Sequence, residues 1–382
     1  MRIVFLSHYA FPHVGGIETA VDGVATELAR RGHDVAHVAS TAGNGARVTA
    51  APAYRVVRVP AVNALEAWLS VPYPLFDFRL PSAIRRELHG ADVAHAHGFL
   101  YMPTLVGLPL ARRANSAPVR VLTEHVGHVP YESKALDTVE AAAIKTLGRA
   151  CLRAAEAIVV NNGRVAAELE RLVPGRRLDH IANGVDTQNF RPPTEDERGA
   201  LRSELGWSDG LPRVLFVGRP VPKKGIDLAL AAAEAGTGRF ELALVGPKED
   251  EVPPTPWVNV LGPQPRDRLR ELYRAADALL LPSQGEGFPM TVQEAMASGL
   301  PVVLLDDPGY GSQLEGAGEG VRLTAPSAEA VVAALVPLVT NGGEWRVSAR
   351  AAEAHAKRMF SISRAADEHE ALYERVRAGR KK

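Results

Sequence analysis

The sequence predicts an α/β protein built from two doubly wound domains, each a parallel sheet covered by helices. Short apolar runs of strand length alternate with segments of helical period, beginning with a strand at 2–8 and a helix at 17–31. The alternation stops at 183–197, where Asn-Gly, Pro-Pro and several charges indicate a linker, and then begins again. The length of 382 residues accommodates two domains of ordinary size.

The composition excludes several classes of protein. Lys plus Arg and Asp plus Glu both number 44, and this balance argues against a dedicated nucleic-acid binder. No apolar stretch reaches the roughly 18 residues of a membrane span, and the opening MRIVFLSH is too strand-like for a signal peptide. Cys151 is the only cysteine, so no disulfide can form within the chain, and we interpret it as a packed helix residue of a cytoplasmic protein.

The first half opens with a strand, a glycine loop and a helix. Gly15 and Gly16 lie immediately before the helix at 17–31, where unpaired backbone N–H groups attract anions. The pair is either an anion site or a simple turn, because the spacing is not the G-x-G-x-x-G dinucleotide fingerprint. The further segments with strand character in this half are 33–40, 54–59, 92–98, 120–128, 157–162 and 178–184.

Four histidines lie on two of these strands, towards their ends. His95 and His97 alternate on one face of the first strand, and His125 and His128 end the second. Since ligands bind at the carboxyl ends of parallel strands, we expect these side chains to form hydrogen bonds in a polar cleft. Metal binding is the alternative, although the spacings match no standard zinc pattern.

The irregular stretch at 60–78 is rich in aromatic residues and proline and includes Tyr73. Loops of this length are usually functional or mobile. Its aromatic side chains either line a binding site for a second substrate or pack in a satellite core.

A long helix is expected at 134–156. Lys145, Arg149 and Arg153 recur on it with a spacing of four and form a basic stripe. The stripe is either a solvated face or a surface that contacts an anionic membrane or a lipid-linked molecule.

The second half repeats the opening pattern, with a strand at 212–218 followed by a cationic loop. Arg219, Lys223 and Lys224 lie in this loop just before a helix, where they could neutralise a diphosphate. The G-x4-G-K-[ST] order of a Walker loop is absent. Further elements are expected at 225–235, 240–246, 257–262, 265–275, 277–283, 301–306 and, as an amphipathic terminal helix, 360–376.

One stretch of the second half carries the strongest signal for a site. Glu286 lies in a turn between Gly285 and Gly287, Pro289 suits the first position of a helix, and Glu294 follows Glu286 by eight positions. The start of this helix would lie at the carboxyl end of the sheet, where phosphate binds, and carboxylates beside it suit paired sugar hydroxyls. A solvated loop residue and a helix-surface charge are the plain alternative for an isolated pair of this kind.

Taken together, these stretches resemble glycosyltransferase family 4, whose members are retaining enzymes of the GT-B fold. The resembling stretches are the glycine loop at 11–21, the histidine strands at 92–98 and 123–125, the interdomain segment at 183–190, the donor loop at 217–227, the E-x7-E stretch at 282–303 and the terminal helix at 360–376. The resemblance implies two Rossmann-like domains facing across a cleft. An acceptor domain would cover 1–185 and a nucleotide-sugar domain 186–360, and a helix at 361–382 would pack back on the first domain.

The resemblance also implies the roles of individual residues. Arg219 and Lys224 would hold the donor diphosphate, Glu286 the sugar hydroxyls and Glu294 the ribose. His125 would lie near the reacting carbon of the sugar, so Glu286, His125, Lys224 and Arg219 form the implied catalytic set. The remaining implied donor contacts come from Gly15, Gly16, Gly287, Phe288, Pro289 and Met290.

The candidate acceptor contacts are His97, Tyr73 and His128. Neither a cofactor nor a metal is expected, because such enzymes need none and no D-x-D signature occurs; cations and helix ends would then stabilise the leaving diphosphate. Two positions depart from the family pattern. Pro220 stands where an aliphatic residue is usual, and Lys223 stands at an often acidic position, which could alter the preferred nucleotide.

The expected reaction is retaining transfer of a hexose-type sugar from a nucleoside-diphosphate sugar, with UDP favoured over GDP. The acceptor is expected to be a hydroxyl of a glycan, a glycolipid or a small molecule, with peripheral contact to the inner membrane face as a further expectation. Retention could use a covalent carboxylate, or a same-face attack assisted by the departing phosphate oxygen, the usual proposal for the family. A sugar-nucleotide epimerase or hydrolase and a non-catalytic sugar-nucleotide-binding protein remain the alternatives.

Overall fold

The computed structural model describes residues 1–11, 13, 15–41, 53–65, 73–128, 133–207, 210–285 and 287–380. The chain divides into two compact units. Unit 1 comprises Met1–Gly184 and Ile362–Lys382, and unit 2 comprises Val185–Ser361. Each unit contains its own parallel sheet.

The main sheet of unit 1 has seven parallel strands in the order β3-β2-β1-β6-β7-β8-β9. The strands of this unit are β1 (Arg2–Leu6), β2 (Asp34–Ser40), β3 (Arg55–Val59), the short antiparallel pair β4 (Ala61–Val62) and β5 (Leu75–Phe76), β6 (Val93–His97), β7 (Val119–Glu124), β8 (Ala157–Val160) and β9 (Leu178–His180). The order reverses direction between β1 and β6, as in a doubly wound fold, and this switch point is where such sheets bind ligands.

Unit 2 has six parallel strands in the order β12-β11-β10-β13-β14-β15. They are β10 (Arg213–Val217), β11 (Glu241–Val245), β12 (Val258–Gly262), β13 (Ala278–Leu281), β14 (Val302–Leu305) and β15 (Val321–Thr324). The switch point of this sheet lies between β10 and β13. The two doubly wound sheets confirm the fold class that the alternating sequence pattern predicted.

The helices complete the layers. In chain order they are α1 (Gly16–Arg30), α2 (Leu80–Leu88), α3 (Met102–Arg113), α4 (Lys134–Ala143), α5 (Arg149–Ala154), α6 (Gly163–Leu172), α7 (Glu195–Glu204), α8 (Ile226–Ala235), α9 (Arg266–Ala275), α10 (Met290–Ala297), α11 (Gly311–Leu314), α12 (Ala328–Thr340), α13 (Gly342–Met359) and α14 (Ile362–Gly379). Within the described ranges, none of these helices has both the length and the apolarity to cross a membrane.

The core of unit 1 lies on both faces of its sheet. After Arg2, strand β1 is a continuous run of buried apolar residues, as expected for a parallel strand covered on both sides. One apolar cluster joins the sheet to α2, α3, α5 and α6, and the other joins it to α1 and α14. In α14, Ala366 and Tyr373 are fully buried, so the terminal helix is part of this core.

Three predicted elements differ from the structure. The expected strand at 120–128 ends at Glu124, so His125 and His128 lie beyond it. The expected helix at 134–156 is interrupted by a π-helical turn at Ile144–Gly148, which joins α4 to α5. Gly148 in this turn lies so close to the Phe99 ring that an added Cβ would come within 2.9 Å of it. The expected strand at 178–184 ends at His180, because the chain leaves β8 after three paired residues.

Candidate functional site

Two loops meet at the switch point of unit 2. They follow the neighbouring strands β10 and β13, so they begin side by side. The backbone N–H of Gln284 in the second loop donates to the carbonyl of Lys223 in the first at 2.9 Å. Gly225 has a φ of +71°, and a Cβ added there would lie 2.1 Å from the carbonyl oxygen of Pro282. Only glycine permits this approach, which fixes the cationic loop against the E-x7-E stretch.

The first of these loops carries the cations assigned to the diphosphate. Arg219 is exposed directly after β10, and Lys224 is half-buried at the end of a 3₁₀ turn, Pro222–Lys224. The side-chain stem of Lys224 lies against Gly218, where an added Cβ would be 3.4 Å from its Cδ. Both positive charges therefore lie in the loop at the point where the sheet binds ligands.

The second loop leads into the N-terminus of α10, where Pro289 is the N-cap residue. In the described part of the chain, the backbone N–H groups of Met290 and Thr291 have no hydrogen-bond acceptor. Unpaired N–H groups and the helix dipole make such an end attractive to an anion. The predicted anion-binding helix start is thus next to the cationic loop.

Buried aromatic packing holds this loop in place. Phe288 is 5% exposed and packs edge-on against Tyr310, with ring centroids 5.7 Å apart, and against Phe360 at 5.1 Å. The N–H of Gly285 donates to Asp307 Oδ2 at 3.2 Å. Gly287 is half-buried. Glu286, the first carboxylate of the signature, lies outside the described residues.

The second carboxylate of the signature is buried. Glu294 on α10 is 6% exposed, which rules out the alternative that it is a helix-surface charge. Its Oε2 accepts a hydrogen bond from the Tyr273 hydroxyl at 3.3 Å, and its Oε1 lies 3.6 Å from a guanidinium nitrogen of Arg266. Burial raises the pKa of Glu294 to about 7, although Arg266 and the Tyr273 hydrogen bond oppose this. Tyr273 and Arg266 carry no signal in the sequence that would link them to Glu294.

Gly15 and Gly16 begin α1 in unit 1 as expected, but a carboxylate accompanies them. Glu18 is 4% exposed, and a Cβ added to Gly15 would lie 2.1 Å from its Oε2. Glu18 Oε1 lies 3.4 Å from His8 Nε2. Glu18 occupies the third helical position, where a capping-box glutamate is found, and that spacing could have revealed it from the sequence.

His97 and His125 form a buried pair in unit 1. His97 Nδ1 lies 2.9 Å from His125 Nε2, and Asn161 Nδ2 lies 3.3 Å from His125 Nδ1. Burial lowers the pKa of His125 to about 3 and also holds the pKa of His97 well below its usual value. Both imidazoles are therefore neutral at physiological pH. The sequence indicated hydrogen bonding for both histidines but not that they would bond to each other.

The expectation that the strand-end histidines all reach a polar cleft is wrong for His95. Its side chain has no exposed surface. Its Nδ1 lies 2.7 Å from the Tyr373 hydroxyl, and its Nε2 lies 2.7 Å from Thr123 Oγ1. The terminal helix α14 covers this position, so His95 is a core residue with satisfied hydrogen bonds.

Glu124 shapes the two loops that follow β6 and β7. Its buried carboxylate accepts backbone N–H groups from Phe99, His125, Val126 and Gly127 at 2.9–3.3 Å. Burial raises the pKa of Glu124, and the four hydrogen bonds oppose that rise. Glu124 could not be recognised from the sequence, because its contacts are with backbone groups and leave no signal in side-chain spacing.

The other candidate acceptor residues have partners away from the His97–His125 pair. The Tyr73 hydroxyl donates to the carbonyl of Leu100 at 2.9 Å, and burial raises the pKa of Tyr73. His128 Nε2 lies 3.0 Å from Asp137 Oδ1. Within the described ranges, no group of three or more His, Cys, Asp or Glu side chains is placed to hold a metal ion.

Comparison with known proteins identifies the family. The family model described as Glycosyltransferase Family 4 matches residues 14–189, and the model described as Glycosyl transferases group 1 matches residues 197–358. A curated GDP-mannose-dependent alpha-mannosyltransferase of Mycolicibacterium smegmatis is 30% identical over 370 residues, which cover 92% of this chain and 92% of the relative. The chain belongs to glycosyltransferase family 4.

A second curated relative is also similar to this family 4 glycosyltransferase, and two solved structures share its fold. A D-inositol 3-phosphate glycosyltransferase of Nocardia farcinica is 29% identical over 377 residues, 87% of this chain and 81% of the relative. Sucrose-phosphate synthase from Thermosynechococcus elongatus superposes with a TM-score of 0.76 at 20% identity and 99% and 100% coverage. Anabaena HepE in complex with UDP gives 0.76 at 18% identity and 98% and 100% coverage. The fold is GT-B, and the enzyme is a glycosyltransferase that uses a nucleotide sugar.

Proposed function

We propose that this glycosyltransferase moves a hexose-type sugar from a UDP-sugar to an acceptor hydroxyl with retention of anomeric configuration. The observation that carries the proposal is the junction of the Arg219–Lys224 loop with the N-terminus of α10 at the switch point of unit 2. Cations and unpaired N–H groups at one such point suit a nucleoside diphosphate.

The diphosphate is the leaving group of the reaction, and its charge grows as the glycosidic bond breaks. Arg219 and Lys224 would stabilise that charge together with the N–H groups of Met290 and Thr291. Groups already held in place need no reorganisation when the charge develops, which is the basis of their catalytic effect.

We assign the two carboxylates to the two sugars of the donor. Glu286 would accept hydrogen bonds from the hydroxyls of the transferred sugar, and Glu294 from the ribose. An ionised carboxylate has about four lone-pair sites, so Glu294 can accept ribose hydroxyls while it keeps the Tyr273 hydrogen bond.

We assign His125 to the neighbourhood of the reacting carbon. Both of its ring nitrogens already have partners in His97 and Asn161. In this conformation the sugar would therefore meet the ring carbons or the main chain of His125. Same-face attack, with the departing phosphate oxygen as base, is the route to retention that we propose.

A donor and product assay tests the proposal. The protein is incubated with UDP-hexoses and with GDP-mannose, and released nucleotide is measured with and without acceptor. We expect UDP-hexoses to be used in preference to GDP-mannose, the donor named for the mannosyltransferase relative. Turnover without acceptor would favour an epimerase or hydrolase, and a product of inverted configuration by NMR would refute retention.

The acceptor panel follows from the proposed acceptor classes: a glycan, a glycolipid or a small molecule. D-inositol 3-phosphate enters it as a small molecule, because that compound is named for a relative. We also propose that the reaction needs no bound metal. EDTA should leave transfer unchanged, and a loss of activity restored by added metal would contradict this part of the proposal.

We further propose peripheral contact with an anionic membrane through the face around α4 and α5. Lys145 and Arg153 are exposed there, and so are the apolar side chains of Val139 and Leu147, at 66% and 50%. Basic residues with apolar neighbours bind anionic lipid surfaces. Co-sedimentation with anionic liposomes should fall when Lys145 and Arg153 are both replaced by Glu, and equal binding would refute the contact.

A further inference from the structure

A series of hydrogen bonds connects Val165 to the buried histidines of unit 1. The donor and the acceptor of its first hydrogen bond are certain. The backbone N–H of Val165 donates to Asn162 Oδ1 at 2.9 Å, because Asn162 is the N-cap residue of α6. A backbone N–H can only donate, so it fixes which end of the Asn162 amide is oxygen. Asn162 Nδ2 then donates to Asn161 Oδ1 at 2.7 Å, which fixes the orientation of Asn161 in the same way.

The orientation of Asn161 determines the position of the proton on His125. Asn161 Nδ2 faces His125 Nδ1, so Nδ1 must be the acceptor and the proton of a neutral ring lies on Nε2. His125 Nε2–H donates to His97 Nδ1. The proton of His97 therefore lies on its Nε2, which is buried and has no partner in the described part of the chain.

The position of the proton on His369 of α14 is fixed by its hydrogen-bond partner in the same way. Its Nδ1 lies 2.7 Å from the carbonyl of Ala365, and since a carbonyl only accepts, the proton of His369 lies on Nδ1. Its Nε2 carries a lone pair and has no hydrogen-bond partner among the described residues. Burial lowers the pKa of His369 to about 4, so this ring is also neutral.

His97 and His369 line the same small, partly open cavity within unit 1. Its volume is about 20 Å³, and Thr123, His125 and Asn183 also line it. Roughly 10–15 Å³ suffices for one water when polar partners are present. Among the described residues, His97 Nε2–H lacks an acceptor and His369 Nε2 lacks a donor, and both residues contribute to the wall.

We propose that this cavity binds one water molecule, which accepts from His97 Nε2–H and donates to His369 Nε2. We propose in addition that Asn161 is a positioning residue that sets the tautomers of His125 and His97. The water would link the strand-end histidines to the terminal helix. With this water in place, both ring nitrogens of His97 have a hydrogen-bond partner, as is usual for buried polar atoms.

The second part of this inference rests on the proposed function, because it matters only if His125 lies beside the transferred sugar. A ring whose tautomer is fixed by its neighbours is held in one orientation, as when a carboxylate orients the histidine of a catalytic triad. Asn161 would act on the sugar only through His125.

Proton positions can be measured directly by NMR on protein labelled with ¹⁵N-histidine. In the wild type, we expect the proton on Nε2 of His125 and His97 and on Nδ1 of His369. In Asn161→Asp, a carboxylate that only accepts should draw the proton of His125 to Nδ1 and that of His97 to Nδ1 in turn. Asn115→Asp, at an exposed turn of the same unit, is the matched control and should change none of them.

Two results would overturn the chain. One is a wild-type His125 with its proton on Nδ1, and the other is a folded Asn161→Asp variant with unchanged tautomers. A crystal structure that resolves ordered waters should place one about 2.7–3.2 Å from both His97 Nε2 and His369 Nε2. An empty cavity would refute the water site.

Activity separates this inference from the proposed function. Asn161→Asp should lower kcat at least about tenfold and leave the donor KM unchanged, because a displaced reacting group costs rate rather than affinity. Reversed tautomers with full activity would refute the positioning role. If the wild type transfers no sugar from any donor, the proposed function fails, whereas the NMR result still decides the hydrogen-bond chain.

Discussion

The hydroxyl of Tyr273 donates a hydrogen bond to Glu294 Oε2 at 3.3 Å, and both side chains are almost completely buried in unit 2. The other carboxylate oxygen lies 3.6 Å from Arg266. Burial nevertheless raises the pKa of Glu294 to about 7. The carboxyl group assigned to the ribose therefore changes its charge near neutral pH.

Replacing Tyr273 by Phe removes a donor that favours the ionised carboxylate, so the pKa of Glu294 should rise further. We assign ribose binding to the ionised form. UDP affinity should then increase with pH through a midpoint near about 7 in the wild type and through a higher midpoint in the variant. Isothermal titration calorimetry with UDP across this range measures both midpoints.

Tyr54→Phe is the matched control, because the Tyr54 hydroxyl donates to Asp22 in unit 1 and does not contact Glu294. Its UDP-binding midpoint should equal that of the wild type. Coincident midpoints for Tyr273→Phe and the wild type would show that the hydroxyl does not control the charge of Glu294.

Much of the fold could be predicted because parallel strands covered on both faces are continuous apolar runs. Strands β1 and β13 are of this kind, and their sequences contain no polar residue apart from Arg2. The π-helical turn at Ile144–Gly148, where Gly148 lies against Phe99, has no signal in the helical period of the sequence and could not be predicted. The early end of β9 depends on its pairing with β8 and could not be predicted either.

The candidate site was predictable where its signal is local. Lys224 and Pro289 lie in loops whose composition shows in the sequence, and the family resemblance implied their roles. The close approach of Gly225 to Pro282 appears only in the structure. Tyr273 escaped notice because it reaches Glu294 from another helix, 21 positions away in the sequence. His95 was misassigned because it lies on the same face of its strand as His97, and the sequence pattern does not distinguish the two. In the structure, Tyr373 of α14 places its hydroxyl against His95.

A second prediction concerns acid stability. His37 is 1% exposed, lies 2.7 Å from Ser7 Oγ and is near the positive Arg58. Burial lowers the pKa of His37 from 6.5 to about 3. Below pH 6.5, His37 becomes protonated in the unfolded chain but stays neutral in the folded protein. The free energy of unfolding therefore decreases as the pH falls from 6.5 towards 3. The slope is about 1.4 kcal/mol per pH unit for one histidine.

In His37→Gln, the free energy of unfolding should therefore fall less steeply with decreasing pH than in the wild type. The difference in slope should correspond to about one proton, or roughly 1.4 kcal/mol per pH unit. Hydrogen exchange of the amides in β2, followed by mass spectrometry at several pH values below 6.5, measures the opening free energy of unit 1. His180→Gln, at an exposed position of the same unit, should leave the slope unchanged. An unaltered slope in His37→Gln would show that this ring is protonated in the folded protein.

A third prediction tests the cation of the donor loop. Lys224→Ala removes a positive charge assigned to the leaving diphosphate, so kcat/KM should fall at least about 10²-fold, on the scale of one lost transition-state contact. Arg239→Ala, at an exposed position of unit 2 away from this loop, should leave kcat/KM unchanged. Near-wild-type turnover in a folded Lys224→Ala protein would remove Lys224 from the site.

The fourth prediction distinguishes the effect of the contact between the two loops from the effect of backbone strain at a glycine. Gly225 and Gly238 both have left-handed backbone conformations, with φ of +71° and +75°. A Cβ at Gly225 would lie 2.1 Å from the carbonyl oxygen of Pro282, whereas a Cβ at Gly238 would meet nothing within 4 Å. Replacing either glycine by Ala should cost roughly 1–2 kcal/mol of stability through the backbone alone.

Only Gly225→Ala should also push the cationic loop away from the E-x7-E stretch. We expect its UDP affinity and kcat/KM to fall at least about tenfold, since a displacement of about 1 Å is enough for a large loss of rate. Gly238→Ala should keep both values within about twofold of the wild type. UDP titration and initial rates on the two folded variants measure the difference. Equal losses in both variants would mean that strain, and not the contact between Gly225 and Pro282, supports the diphosphate site.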